Sequence, residues 1–118
     1  MAFENISFEK MDGVGIITMN RPESRNALTL EMVAEMGEAI EACKSADVRS
    51  VLLTGAGGGF CSGADLKFLV ENLESGGPEK IQTYIRDLAN NLHHDVVMGL
   101  RQLGKPVVAG INGVAAGA

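Results

Sequence analysis

The sequence predicts an α/β fold in one domain, residues 1–118, with largely parallel strand pairing after an N-terminal hairpin. Short apolar runs alternate with longer segments whose apolar residues recur at helical spacing, which is the pattern of layered α/β proteins. The predicted order of elements is β, β, α, β, α, α, β. With 118 residues, 46% of them hydrophobic and 21% charged, the chain is long and apolar enough to form a core.

The first two predicted strands form a hairpin. Residues 6–9 alternate between apolar and polar side chains, which is the period of a half-buried strand. Asp12-Gly13 is a strong hairpin turn sequence, and residues 14–19 form a second, more apolar run. These patterns place the hairpin at the N-terminus of the domain.

An amphipathic helix follows a polar loop. Thr29 is its predicted N-cap, Glu31 lies in the first turn where the helix dipole favours a carboxylate, and the helix ends near Ser45. Its apolar positions recur at helical spacing: Val33, Met36, Ile40 and Cys43. Residues 51–53 then form a short buried strand that leads into a glycine-rich stretch.

The second half of the chain is mostly helical. A short helix starts after Gly63, and Pro78 begins one long helix in which Gly99 is a weak point. Its apolar residues are spaced by fours and threes: Ile81, Ile85, Leu88, Leu92, Val96, Leu100 and Leu103. Gly104-Lys105-Pro106 ends this helix, and residues 107–111 form another buried strand.

Composition and charge exclude several classes of protein. A net charge of −5 argues against a nucleic-acid partner. No signal peptide and no apolar run of membrane-spanning length is present, so we expect a cytoplasmic protein without a membrane partner. The two cysteines lack metal or redox spacing, and the adjacent His93 and His94 point to different sides of a helix, so we predict no metal site.

The glycine-rich stretch "LTGAGGGFCSGADLKFL" matches none of three familiar loop motifs. Its glycines miss the dinucleotide-binding fingerprint in every register, and Gly63 is not followed by the Lys-Ser/Thr of a P-loop. Ser62 lacks the flanking glycines of a nucleophile elbow. The remaining interpretation is that backbone N–H groups of this stretch bind an oxygen atom of a ligand. Ala64 would be the first residue of a helix and would direct its N–H at that oxygen, and a second donor would come from the turn at Gly117 and Ala118. A glycine-rich turn without a ligand stays an equal alternative.

Three blocks of sequence resemble the crotonase superfamily of enoyl-CoA hydratases and isomerases: "NRPESRNAL", "VRSVLLTGAGGGFCSGADLK" and "KPVVAGINGVAAGA". The resemblance covers essentially the whole chain. It implies that residues 1–118 are the N-terminal part of a single acyl-CoA-binding domain. The fold of such a domain is a spiral of repeated ββα units, incomplete in this chain, and the family usually assembles as trimers or hexamers. It also implies acyl-CoA thioesters as substrates, with coenzyme A as part of the substrate and no separate cofactor.

The same resemblance assigns roles to residues. The backbone N–H groups of Ala64 and Ala118 would bind the thioester oxygen and stabilise the enolate, with Gly117 beside them. The segment that lines the nucleotide end of coenzyme A would be Asp65, Leu66 and Lys67. The loop that flanks the pantetheine and the nucleotide would be Arg25, Asn26 and Ala27. The interpretation of Asp65 as a general base is weaker than its interpretation as a residue that flanks the ligand.

The acidic residues that transfer protons in hydratases would fall beyond Ala118. Hydration of a 2-enoyl-CoA is the leading hypothesis, and a double-bond or ring-type isomerase remains open because those acidic residues are the ones that separate the two reactions. A non-catalytic acyl-CoA-binding chain is the alternative from another class. A third hypothesis is that the chain does not fold stably alone, because the apolar side of its long helix and its last strand would lack covering partners.

Overall fold

The computed structural model describes residues 2–118, apart from the side chains of residues 73 and 74, as a mixed α/β structure. The elements in chain order are β1 (Ile6–Met11), β2 (Val14–Met19), α1 (Leu30–Ala42), β3 (Ser50–Gly55), β4 (Gly59–Cys61), α2 (Leu66–Leu73), α3 (Gly77–Asn91), α4 (Met98–Arg101), β5 (Val107–Gly110) and β6 (Val114–Ala115). The α/β fold class predicted from the sequence is confirmed.

A four-stranded sheet in the order β1-β2-β3-β5 organises the domain. The predicted hairpin is confirmed, with Ile6 opposite Met19 and Met11 opposite Val14 in antiparallel register. β3 pairs parallel with both β2 and β5, as the alternation of elements predicts. The carboxyl ends of β2 and β3 therefore point to the same edge of the sheet, where the loops that follow them meet.

Helix α1 begins as its sequence predicts. The Thr29 hydroxyl accepts a hydrogen bond from the Met32 N–H at 3.2 Å, and the Leu30 N–H donates to the Tyr84 hydroxyl at 3.0 Å. Tyr84 on α3 also stacks on Phe68 of α2, with ring centroids 5.5 Å apart. The four apolar positions predicted for this helix are buried in the core. These contacts tie the three helices together at the start of α1.

The prediction of one uninterrupted α-helix after Pro78 is wrong in detail. Between α3 and α4 the chain forms a π-helical segment, Leu92–Val97. Met98 caps its C-terminus, and the Met98 N–H donates to the His93 carbonyl. Gly99, predicted to be a weak point of the helix, allows α4 to pack closely on α1, because a β-carbon there would lie 3.3 Å from Ile40 of α1. The segment packs on α1 through buried Val96, and both His93 and His94 are exposed.

Two further corrections concern the strands. β5 was expected to be buried, but Val107 and Val108 are 38% and 59% exposed. It is the last strand in the sheet order, so β3 alone pairs with it. A second, two-stranded sheet of β4 and β6 was not predicted. At three and two residues, both strands are too short to show a strand period in the sequence.

Two candidate features are missing from the part of the chain that the structure describes. Within residues 2–118, no helix is both long enough and apolar enough to cross a membrane. The same residues contain no cluster of three side chains able to hold a metal ion.

Candidate functional site

The glycine loop (residues 55–65) is held by the backbone of a second loop (residues 20–29). Leu28 forms a parallel bridge with Ala64: its N–H donates to the Gly63 carbonyl at 2.7 Å, and its carbonyl accepts from the Asp65 N–H at 2.9 Å. In a parallel bridge, the central residue of the other chain directs its own N–H to the opposite side. The Ala64 N–H is therefore directed away from Leu28.

The sequence-based placement of Ala64 at the start of a helix is wrong. Helix α2 begins at Leu66, and Asp65 occupies its N-terminus. The Asp65 carboxylate accepts from the Phe68 N–H at 2.9 Å, and its carbonyl accepts from the Leu69 N–H at 3.2 Å. The bridge to Leu28, and not the helix axis, thus sets the direction of the Ala64 N–H.

A buried ion pair reinforces this arrangement. The Arg21 guanidinium lies 2.8 Å from the Asp65 carboxylate, which is 8% exposed, and it also donates to the Ala27 carbonyl. Burial by itself would raise the pKa of Asp65. The Phe68 N–H and the charge and hydrogen bond of Arg21 outweigh burial, so the pKa of Asp65 is lower than its ordinary value. The Asp65 carboxylate is thus charged and is already bound by Arg21 and by the Phe68 N–H.

Asn26 fixes the same loop from inside. It is fully buried, its Oδ1 accepts from the Arg21 N–H at 2.8 Å, and its Nδ2 donates to the carbonyls of Gly59 at 2.8 Å and Ala56 at 3.1 Å. Its amide therefore joins the two loops. Arg25 lies next to it with an exposed side chain and a left-handed φ of 52°, and its carbonyl accepts from the Ser62 N–H at 3.0 Å.

The terminal turn (residues 111–118) meets the glycine loop. β6 pairs parallel with β4, and the Ala116 N–H donates to the Cys61 carbonyl at 2.9 Å. Gly63 and Gly117 both have positive φ, +102° and +65°, and a β-carbon on Gly117 would lie 3.2 Å from the Gly63 α-carbon. Glycine at both positions permits this approach, so Ala64 and Ala118, the residues that follow the two glycines, lie on adjoining turns.

The donors predicted from the sequence are the backbone N–H groups of Ala64 and Ala118. Among the residues that the structure describes, neither the Ala64 N–H nor the Ala118 N–H has a hydrogen-bond acceptor. Ala64 is half-buried, and Ala118 is exposed to solvent, where water can accept a hydrogen bond from its N–H. Two such groups facing one oxygen atom form the donor arrangement of an oxyanion hole.

Two concave regions lie on either side of this junction. A groove of about 530 Å³ is lined by Arg21, Glu23 and Glu71 together with five predicted binding residues, namely Ala27, Ala64, Asp65, Leu66 and Lys67. A second, apolar cavity of about 310 Å³ is lined in part by Gly117 and Ala118. Ala64 and Ala118 thus connect a charged groove to an apolar cavity.

Sequence reasoning missed Arg21 and Leu28. Arg21 lies inside the first sequence block, but its partner is 44 residues away, and spacing carries no signal for such a pair. Leu28 acts through its backbone, which every residue has. The ligand contacts predicted for the site residues remain predictions, since no ligand is present.

Comparison with known proteins gives a consistent result. The model of the family described as enoyl-CoA hydratase/isomerase matches residues 9–118. The chain is 40% identical over 110 residues to 1,2-epoxyphenylacetyl-CoA isomerase of Escherichia coli, covering 90% of this chain and 39% of that protein. It is 39% identical to a protein named probable enoyl-CoA hydratase from Mycobacterium leprae, and the match covers 88% of this chain and 35% of that protein.

A solved structure shows the same likeness in three dimensions. An enoyl-CoA hydratase/isomerase from Xanthobacter autotrophicus Py2 superimposes with a TM-score of 0.78 at 34% identity, covering 95% of this chain and 40% of that one. The chain therefore spans about two fifths of the length of the relatives it matches. The predicted crotonase-like fold, incomplete in this chain, is confirmed.

The ion pair gives a prediction about stability. Asp65→Asn keeps the shape of the side chain but leaves Arg21 without a counter-charge, so we expect a loss of about 3 kcal/mol in the free energy of unfolding at pH 7. Because the pKa of Asp65 is lowered on folding, its contribution is present above about pH 4 and disappears as the pH falls through the folded-state value. The difference between wild type and variant should therefore shrink in acid.

The measurement is urea unfolding of both proteins at pH 7 and near pH 2. Asp87→Asn is the matched control, since Asp87 forms an exposed ion pair with Arg86, and it should cost less than about 1 kcal/mol at pH 7. A difference between Asp65→Asn and wild type that is equal at both pH values would contradict the assignment.

Proposed function

The chain belongs to the enoyl-CoA hydratase/isomerase family, and from this premise we propose that it provides the thioester-binding part of an acyl-CoA hydratase site. In this proposal the Ala64 and Ala118 N–H groups bind the thioester oxygen. The observation that carries the proposal is the close approach of Gly63 and Gly117, which brings two unpaired donors together.

The chemistry of such a pair follows from the charge that develops during the reaction. Attack at the β-carbon of a 2-enoyl thioester, or removal of a proton beside the carbonyl, moves negative charge onto the thioester oxygen. Donors fixed in advance stabilise that charge without reorganising, and each contributes about 3 kcal/mol in comparable sites. Both donors here are backbone groups: Ala64 is held by its bridge to Leu28, and Ala118 lies three residues after the last residue of β6.

The groove is the proposed site for coenzyme A. Its charges are mixed: the charge of Arg21 is matched by Asp65, Lys67 lies 4.0 Å from Glu71, and Glu23 adds another carboxylate. Lys67 is therefore the exposed cation in the groove that is best placed for the phosphates, with Arg25 on the neighbouring loop. Coenzyme A enters as part of the substrate, and the proposal includes no separate cofactor.

The acid–base step is assigned to residues outside this chain. Asp65 is unsuited to it, because its carboxylate is already engaged by Arg21 and by the N-terminus of α2. Isomerisation of a ring-bearing thioester is the second candidate, and the 40% identity to 1,2-epoxyphenylacetyl-CoA isomerase favours it. For the whole protein, a homo-trimeric or hexameric assembly and a cytoplasmic location are proposed from the family resemblance alone.

A charge substitution tests the groove. Lys67→Ala should weaken the binding of coenzyme A about fivefold, corresponding to roughly 1 kcal/mol, because the phosphates lose an exposed cation in the groove. The matched control is Lys44→Ala, another exposed lysine, paired with Glu41 three residues earlier, which should leave the affinity unchanged. Calorimetric titration measures both. Equal affinities for the two variants would remove Lys67 from the site.

Amide proton shifts test the two donors directly. Adding crotonyl-CoA to the ¹⁵N-labelled chain should move the amide proton signals of Ala64 and Ala118 downfield, because each forms a new hydrogen bond to the thioester oxygen. Free coenzyme A has no such oxygen and serves as the control ligand. If the two ligands shift both signals equally, the proposed role of the donors is wrong. Sustained loss of the crotonyl-CoA enone absorbance would in addition exclude a purely binding function.

A further inference from the structure

Asn112 and Gly113 form the corner at which the chain passes from the four-stranded sheet to the two-stranded sheet. β5 ends at Gly110, whose carbonyl accepts a hydrogen bond from the Thr54 hydroxyl of β3 at 2.8 Å. Two residues later, the Asn112 Oδ1 accepts from the N–H of Gly55, the last residue of β3, at 3.2 Å. The Asn112 side chain therefore continues the contact with β3 beyond the end of the strand pair.

The same amide also binds the tip of the glycine loop. The Asn112 Nδ2 donates to the Gly57 carbonyl at 3.1 Å and to the Gly59 carbonyl at 3.2 Å. A side-chain amide suits this place, because it carries an acceptor and two donor hydrogens at the end of a short side chain. An aspartate at neutral pH would lack the donors, and an alanine would lack both kinds of group. Asn112 thus binds one N–H and two carbonyls of the loop.

Gly113 brings the corner into direct contact with the loop backbone. A β-carbon at Gly113 would overlap the Gly58 carbonyl oxygen and would lie 3.0 Å from the Gly59 α-carbon. Those atoms belong to the backbone, so they cannot turn aside as the end of a flexible side chain can. The next residue, Val114, begins β6 and lies opposite Gly59 of β4. The close approach at Gly113 therefore comes immediately before the strand pair that carries the terminal turn.

Asparagine amides hold the glycine loop from two sides. Asn26 donates to the Gly59 carbonyl from the loop before α1 at 2.8 Å, and Asn112 donates to the same carbonyl from the terminal turn. Glycine leaves a backbone more conformational freedom than any other residue, so a loop rich in glycine needs such attachments to keep one shape. Asn26 joins the glycine loop to the segment that precedes it in the sequence, and Asn112 joins it to the segment that follows.

Building on the proposed function, we propose that Asn112 is a positioning residue for the thioester site. It contacts the backbone of the glycine loop and acts on the site through that backbone. Together with Gly113, it sets how closely the terminal turn approaches the glycine loop. The separation of Gly63 from Gly117, and of the N–H groups that follow these glycines, depends on that approach. The bridge to Leu28 orients one donor, and Asn112 places the turn that carries the other.

Two substitutions test the amide and the close approach separately. Asn112→Ala removes the three hydrogen bonds, and Gly113→Ala keeps them but forces the two backbones apart. Gly58→Ala is the control for the second, because a β-carbon there meets no atom of the described residues within 4 Å. Neither glycine has a positive φ, so alanine adds no backbone strain at either position. Asn72→Ala is the control for the first, since Asn72 is an exposed asparagine that donates to the Phe68 carbonyl at 3.0 Å.

The first readout is structural and needs no ligand. The wild type and both controls should show a nuclear Overhauser effect between the α-protons of Gly63 and Gly117. They should also show slow hydrogen exchange of the Ala116 N–H, which donates to the Cys61 carbonyl. Asn112→Ala and Gly113→Ala should lose the Overhauser effect, and exchange of that N–H should become at least about tenfold faster.

The second readout separates positioning from a purely structural role. The ¹³C resonance of a labelled thioester carbonyl moves downfield when the carbonyl is polarised. For bound crotonyl-CoA, this movement should fall to less than about half of the wild-type value in Asn112→Ala and Gly113→Ala, and the two controls should retain it. The affinity for free coenzyme A, which the groove binds, should change by less than about twofold in all four variants. A variant that merely loosened the fold would weaken the binding of both ligands in parallel.

Failure of this inference is distinguishable from failure of the proposed function. If Asn112→Ala keeps the Overhauser effect and the carbonyl shift, Asn112 is not a positioning residue, and the proposed function stands. A lost Overhauser effect with an unchanged carbonyl shift also overturns the inference, as does an equal loss of affinity for crotonyl-CoA and free coenzyme A. If the carbonyl resonance does not move in the wild type, the proposed function fails and the inference fails with it.

Discussion

The candidate site depends on the attachment of the glycine loop to the loop that precedes α1. Leu28 forms hydrogen bonds to the backbone on both sides of Ala64, and the Arg21–Asp65 ion pair joins the same two segments through side chains. Asn26 adds a third connection through its buried amide. Because backbone, charge and amide contacts converge here, the direction of the Ala64 N–H is fixed before any ligand arrives.

The attachment of the glycine loop also positions the other parts of the site. The glycine loop contains β4 and leads directly into α2, so the attachment of Gly63, Ala64 and Asp65 to Leu28 positions both elements. β4 in turn pairs with β6 and brings the terminal turn to within contact of Gly63. The polar groove and the apolar cavity both border these two turns, the groove at Ala64 and the cavity at Gly117 and Ala118.

Local sequence patterns predicted the parts of the fold that local physics determines. The Asp12-Gly13 turn and the Thr29 cap each act within a few residues, and both are found as expected. The π-helical turn and the exposure of β5 were not predictable, because they depend on what packs against them. In the site, resemblance supplied Ala64 and Ala118, but only the structure revealed Arg21, whose partner is distant in sequence.

The central claim is that two backbone N–H groups polarise a thioester carbonyl. The vibrational frequency of that carbonyl, isolated by ¹³C labelling and recorded as an infrared difference spectrum of crotonyl-CoA bound to the chain, tests it most directly. Hydrogen bonds from Ala64 and Ala118 should lower the frequency relative to the thioester in water, because fixed donors exceed the polarisation that mobile water provides. A bound thioester whose carbonyl frequency equals or exceeds its value in water would contradict the claim.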